Sequence, residues 1–278
     1  MPLLNGECDN ERSHPVGKTY VWPYASDVHC AVERPAFPST HEYVRAALET
    51  FTGPEDATDC AGGDDEDRGV RKILDIVFAH PVFNSQQDET FVLQHEDLDL
   101  QNILTDAEGN VTGIIDWDGY LAMPRCVGHA AVPNFLRRDW FPGTVTRRPH
   151  MSFQTEYYRE VYAAAMVKAG NPDAIYTLKS PIYQAAFAAL YEGGSCSDFV
   201  EKFLRSIPKF LASVPFWVAM LGSLEGHTDL EALMTYRLNK VIKLELPSVT
   251  WQEVEADLAA WEWMTDVQGL VEPDMESA

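Results

Sequence analysis

Three oxygen-bearing side chains stand close together in the middle of this chain: Asp97 and Asn102 within His95-Glu96-Asp97-Leu98-Asp99-Leu100-Gln101-Asn102, and Asp116 within Ile114-Ile115-Asp116-Trp117-Asp118. A carboxylate such as Asp97 can orient a hydroxyl and take its proton. Asn102, five residues later, offers a neutral carbonyl oxygen, and Asp116 adds a full negative charge. Hard oxygens of this kind suit Mg²⁺. An acceptor base beside a magnesium-binding pair is the equipment that phosphoryl transfer from a triphosphate requires.

The neighbouring residues read as support. His95 is a loop residue that hydrogen-bonds and packs, and Asp97 is the better base. Asp118 is a secondary metal candidate or a solvent-facing loop carboxylate. Asp99 either stabilises the turn or helps to bind an acceptor. Trp117, Trp140, Tyr157, Tyr158, Trp217, Trp261 and Trp263 could stack on a sugar or a cationic acceptor, although most such rings serve as core.

Short elements must position these groups. Phe91-Val92-Leu93, Asn102-Ile103-Leu104 and Val111 to Ile115 read as three strands, with a turn at Asp106 to Asn110 between the last two. Upstream, Ser39 with Glu42 forms a capping box ahead of a helix with Val44, Ala47, Leu48 and Phe51 on one face. Gly53 to Asp67 is acidic and reads as a solvated loop. Val70, Ile73, Leu74, Val77 and Phe78 then draw an amphipathic helix ending near His80-Pro81. Beyond Met151 the pattern is helical, with candidates at 153–169, 173–191, 197–211, 230–244 and 251–264. Ser195 with Asp198, and Thr250 with Glu253, are candidate capping pairs.

The H-x-D-L-x-x-x-N string, the strand-borne acidic residue after it and the helical remainder resemble the aminoglycoside phosphotransferase and choline kinase-like family of the protein kinase-like fold. Ile114-Ile115-Asp116-Trp117-Asp118 stands where protein kinases carry D-F-G. The resemblance runs from about Ser39 to the C-terminal end. It implies an α+β, mainly α-helical chain: the C-terminal lobe of that fold, with a small β element carrying the catalytic loop. It also implies ATP as co-substrate, Mg²⁺ held by Asn102 and Asp116, Asp97 as base, and a small-molecule hydroxyl as acceptor.

The departure is upstream. Residues 1–38 show no sustained period and read as an irregular lead-in, a remnant of or linker to an N-terminal lobe, with 39–278 as the helical catalytic lobe. Lys18 is the one lysine before Lys72, too near the start to be the lysine that holds the α- and β-phosphates. Two readings therefore stand: an ATP-dependent phosphotransferase whose cleft the N-terminal segment or a partner chain completes, or a truncated, catalytically weak or inactive pseudokinase-like binding protein.

Composition closes other routes. With 43 acidic against 21 basic side chains, the formal charge of -22 opposes binding to nucleic acid or an anionic membrane. The 46% apolar content provides for a real core. Five scattered cysteines form no C-x-x-C pair, no signal peptide opens the chain, and the apolar stretch around Leu211 to Leu221 is too short to span a bilayer. A cytoplasmic protein is the expectation. No G-x-S-x-G, no H-E-x-x-H and no strand-borne G-x-G-x-x-G is present.

Overall fold

The computed structural model describes residues 39–50, 65–83, 89–117, 120–140, 149–191, 195–205 and 214–269. Helix α1 (Thr40–Thr50) starts where Ser39 caps it, the Glu42 amide donating to Ser39 Oγ at 3.2 Å. Helix α2 (Asp65–Phe78) buries Val70, Ile73, Leu74, Val77 and Phe78, the stripe that its 3.6-residue period predicts. Asp65, Glu66 and Asp67 belong to its first turn and not to a loop. Carboxylates there face the unpaired amides and positive dipole end of the helix, so an acidic run can open a helix as well as solvate a loop. The expected loop residues 53–64 lie outside the described residues.

The β structure forms two separate antiparallel ribbons. Strand β1 (Phe91–Gln94) pairs with β4 (Leu121–Pro124), Phe91 facing Pro124 and Gln94 facing Leu121. Strand β2 (Ile103–Thr105) pairs with β3 (Val111–Ile114), Ile103 facing Ile114, around a turn with Gly109 at φ +85°. Asn102 ends a 3-10 turn over Leu100–Asn102 and does not begin the strand. Sequence reading missed β4 altogether.

Helices follow: α3 (Thr155–Lys168), α4 (Ala174–Thr177), α5 (Ser180–Tyr191), α6 (Ser195–Arg205), α7 (Val214–Gly222), α8 (Thr228–Ile242) and α9 (Trp251–Gly269). The single helix expected over 173–191 is divided in two, and α7 was not foreseen. Thr250 and Glu253 cap α9 reciprocally: the Thr250 amide donates to Glu253 Oε2 at 2.7 Å, and the Glu253 amide donates to Thr250 Oγ1 at 3.3 Å. Those bonds favour the ionised carboxylate and hold Glu253 below the usual carboxylate range. No described helix is long and apolar enough to cross a membrane.

Helix α2 lies at the centre of the core. Ile73, Leu74 and Val77 are wholly buried among residues of α5, α6, α7 and α8, including Tyr183, Phe187, Phe203, Leu221 and Leu238. Phe83 sits edge-on to both Tyr183 (5.5 Å between centroids) and Phe187 (5.8 Å). The Tyr183 hydroxyl donates to Ile242 O at 2.8 Å, and burial raises its pKa far above the ordinary tyrosine value.

Helices α2 and α7 approach so closely that a Cβ on Gly69 would overlap Val218 O, and one on Gly222 would overlap Asp65 O. Both obstacles are backbone atoms and cannot rotate away. Gly69→Ala and Gly222→Ala should each lower stability by about 1–3 kcal/mol, read as a lower urea midpoint at unchanged slope.

His80, just past α2, accepts the Val82 amide at Nδ1 (3.2 Å), and partial burial depresses its pKa. The unfolded chain therefore binds more protons than the folded one between the lowered value and the ordinary histidine value. The His80 contribution should be complete above the ordinary value and decline as pH falls from there toward the folded one. This part of the pH dependence of urea unfolding should disappear in His80→Gln.

Candidate functional site

Strand β1 delivers the chain into the candidate catalytic loop. Asp99 turns it: the Asp99 amide donates to Asp97 O (2.9 Å), the Asp99 carboxylate accepts the Leu100 amide (2.7 Å), and the Asn102 amide closes the 3-10 turn onto Asp99 O (2.9 Å). The turn folds Asn102 back on the loop that precedes it. Its Nδ2 donates to Asp97 O at 2.8 Å and to Asp97 Oδ2 at 3.2 Å. Asn102 is only 5% exposed, whereas Asp97 faces solvent. With Nδ2 committed to Asp97, Oδ1 is the side-chain atom left for a cation among the described residues.

The β2–β3 pairing brings Asp116 to the same place. Ile103 faces Ile114, and the Ile115 amide donates to Asn102 O at 3.0 Å, so Asp116 leaves the ribbon one residue beyond a bond to Asn102. Asp116 is exposed and left-handed, with φ 63°. Among the non-glycine residues, aspartate and asparagine tolerate that region best.

His95 lies against this junction. Its Nε2 is 2.9 Å from Ile115 O, and a carbonyl only accepts, so Nε2 carries the proton. The ring meets Trp117 edge-on at 4.7 Å, and the Trp117 indole donates to Ile114 O at 2.9 Å. These contacts brace the turn that presents Asp116. His95 Nδ1 is buried with no hydrogen-bond partner among the described residues.

Sequence reading missed a third support, the segment after β4. Asn134 donates its amide to Leu98 O (2.8 Å), and its Nδ2 reaches Glu96 O (3.1 Å) and Asp97 Oδ1 (3.4 Å). Arg138 Nη2 reaches both oxygens of Asp99, at 2.7 and 2.9 Å, and both side chains of this pair are mostly buried. Asp99 is thus occupied by a cap and an ion pair, which assigns it to the turn and not to an acceptor. The available signal was the tandem Arg137-Arg138 in a strongly acidic chain, but nothing local connects it to a loop nearly forty residues upstream.

Asp118 lies outside the described residues. Among the described residues, the aromatic side chains do not gather around the loop. Trp117 is exposed beside it, Trp140 and Trp217 pack on the helical core, and Tyr157 and Tyr158 are exposed on α3. The side chains of Trp261 and Trp263 are outside the described set. A groove of about 490 Å³ between α2 and α8, lined by Lys72, Asp75, His80, Glu231 and Asn239 among others, contains none of the predicted site residues.

The donor set suits magnesium. Asn102 Oδ1 and the Asp116 carboxylate are hard oxygens, and no cluster of three or more His, Cys, Asp or Glu forms a self-sufficient cage among the described residues. Mg²⁺ is commonly held in this way, by one or two protein oxygens with water and substrate phosphates completing its shell.

The left-handed backbone at Asp116 gives a stability test separate from activity. Asp116→Asn should leave thermal unfolding nearly unchanged, whereas Asp116→Val, a β-branched residue forced to φ 63°, should cost about 1–2 kcal/mol.

No curated protein and no solved structure matches the chain. A family model does: that of the phosphotransferase enzyme family, APH, over residues 32–162, just under half of the chain. The matched span includes the candidate loop, both ribbons and the Asn134–Arg138 segment. Residues 32–162, which carry all of these groups, are thus similar to the phosphotransferase enzyme family.

Proposed function

We propose that this chain is the helical catalytic lobe of a kinase-like phosphotransferase that moves the γ-phosphoryl group of ATP to a hydroxyl of a small-molecule acceptor. The observation that carries this reading is the hydrogen bond joining Asn102 Nδ2 to Asp97 Oδ2 at 3.2 Å, with Asp116 one residue beyond the bond from Ile115 to Asn102. One amide thereby fixes the spacing between the proposed base and the proposed metal ligands.

In this reading Asp97 faces solvent, where an acceptor hydroxyl can approach, and takes its proton as the oxygen attacks the γ-phosphorus and the bond from that phosphorus to the departing ADP breaks. Asn102 Oδ1 and Asp116 hold Mg²⁺, with Asp118 as a secondary ligand. The ion supplies charge neutralisation across the triphosphate. His95 keeps the Asp116 turn in place through Ile115 O and Trp117. Leu104 (45% exposed), Ile115 (43%) and Trp117 (44%) form an apolar rim on the β2–β3 ribbon and its exit, of a kind that suits a flat purine ring.

The same rim favours the second reading, a binding protein of low or no activity. These side chains are exposed among the described residues, and a nucleotide resting on them uncovered would remain wet, with weak electrostatic stabilisation.

Asp97→Asn separates the two. It keeps the shape and the hydrogen-bonding capacity, and should reduce phosphoryl transfer about a hundred- to ten-thousandfold with the unfolding temperature unchanged. Full turnover would remove Asp97 from the role of base. Mg·ATP binding, measured by calorimetry, should be lost in Asp116→Asn and kept in Asp97→Asn. Absence of binding in the parent chain would favour the second reading.

A further inference from the structure

The segment between β4 and α3 is fastened to the helical core on both sides of Asn134. Before it, the Val132 amide donates to Ser180 Oγ at 2.8 Å, and Gln184 Nε2 donates to Val132 O at 3.1 Å, both bonds buried on α5. After it, Arg159 of α3, itself buried, donates to Leu136 O at 2.9 Å and to both oxygens of Asp139 at 2.7 and 3.2 Å. Asn134 therefore projects from a rigid bridge toward the catalytic loop.

Its side-chain orientation is determined by chemistry. Arg137 Nε lies 2.9 Å from Asn134 Oδ1, and a guanidinium can only donate, so the amide oxygen must face Arg137. The Nδ2 group then necessarily faces the loop, where it spans Glu96 O and Asp97 Oδ1. The Asp97 carboxylate thus has one amide donor on each oxygen: Asn102 on Oδ2 and Asn134 on Oδ1. Asn102 alone would leave the carboxylate free to swing about its other bonds, because one contact does not fix a plane. Two contacts, one from each side, do.

We infer that Asn134, oriented by Arg137, is a positioning residue that fixes the rotamer of the Asp97 carboxylate for proton abstraction. This rests on the proposed role of Asp97 as base. The Asn134 contact at 3.4 Å is long, and its effect is geometric: it selects one carboxylate orientation among several of similar energy, and binds no substrate. Arg137 acts one step further back, by preventing the amide from flipping. Adjacent Arg138 secures Asp99 in the same loop, so two consecutive arginines govern two alternate aspartates.

The test compares the full-length parent with Asn134→Ala, Arg137→Ala and Arg137→Lys, by crystallography and by steady-state transfer from Mg·ATP to water and to a panel of aminoglycosides, choline and monosaccharides. In the parent, Asp97 should occupy one rotamer. In Asn134→Ala and Arg137→Ala its carboxylate should turn or split, and kcat should fall about 10- to 100-fold, with KM for Mg·ATP within twofold because Asn102 and Asp116 are untouched. Arg137→Lys, which keeps a donor for Asn134 Oδ1, should recover most of the loss.

An unchanged Asp97 rotamer in both alanine variants would overturn the inference. So would equal losses in kcat and in Mg·ATP affinity, which mark general loosening of the loop. Failure of the underlying assignment has a different signature: Asp97→Asn then retains transfer, or the parent transfers nothing, and the crystallographic comparison alone decides whether Asn134 sets the rotamer.

Discussion

The site depends on the buried amide of Asn102. Its backbone N–H closes the turn onto Asp99, its backbone carbonyl receives Ile115, and its side-chain nitrogen holds Asp97 at two atoms. A buried polar side chain persists only if its hydrogen bonds are made, and here those bonds are the coordinates of the site. The loop, the ribbon and the left-handed turn at Asp116 all meet at this one residue. Because each bond runs to a different element, a shift in any of them would leave a buried donor or acceptor unsatisfied, at a cost of about 1–3 kcal/mol.

The dense packing and the candidate site occupy different parts of the molecule. The dense packing lies where α2 meets α5, α6, α7 and α8, while Asp97, Asp116 and the β2–β3 ribbon are exposed. The frame reaches the loop through a few directed polar contacts: Ser180 and Gln184 on one side of Asn134, Arg159 on the other, and Arg138 on Asp99. Electrostatics explains the arginines. Glu96, Asp97, Asp99 and Asp116 crowd a short stretch of an already acidic chain, and bringing them together costs repulsion unless cations stand behind them. Arg138 compensates Asp99 directly, and Arg137 approaches Asp97 through a neutral amide. Asp97, the proposed base, therefore keeps solvent access instead of being captured in an ion pair.

Much of this was legible in the sequence, and the parts that were not share a cause. The α2 face, the hairpin at Asp106 to Asn110 and the Thr250 cap are written in local spacing, because the residues that cooperate are neighbours in the chain. Helix α7 (Val-Pro-Phe-Trp-Val-Ala-Met-Leu-Gly) is apolar nearly all round, so it carries no 3.6-residue period even though it buries Val218 and Leu221. Strand β4 is four residues long and ends in proline, and only its pairing with β1 defines it. Asn134 and Arg138 touch the loop across 36 to 39 residues of chain, a relation that no periodicity encodes. The acidic opening of α2 was misread because Asp and Glu favour solvent and helix N-termini alike.

The spacing of the loop motif follows from its geometry. From Asp97 the chain makes a tight bend, Asp99 N–H to Asp97 O, and then one 3-10 turn, Asn102 N–H to Asp99 O. A 3-10 turn takes three residues, so each residue added or removed swings the following side chain by about 120°. With Asn102 five positions after Asp97, the amide returns to the carbonyl and the carboxylate of the residue where the bend began. With four or six it would face solvent or the core, and the Asn102 carbonyl would no longer meet the Ile115 amide. The sequence distance between the proposed base and the proposed metal ligand is therefore set by the helical geometry of a single turn. Asp99, whose side chain caps that turn while Arg138 holds it from behind, maintains that distance.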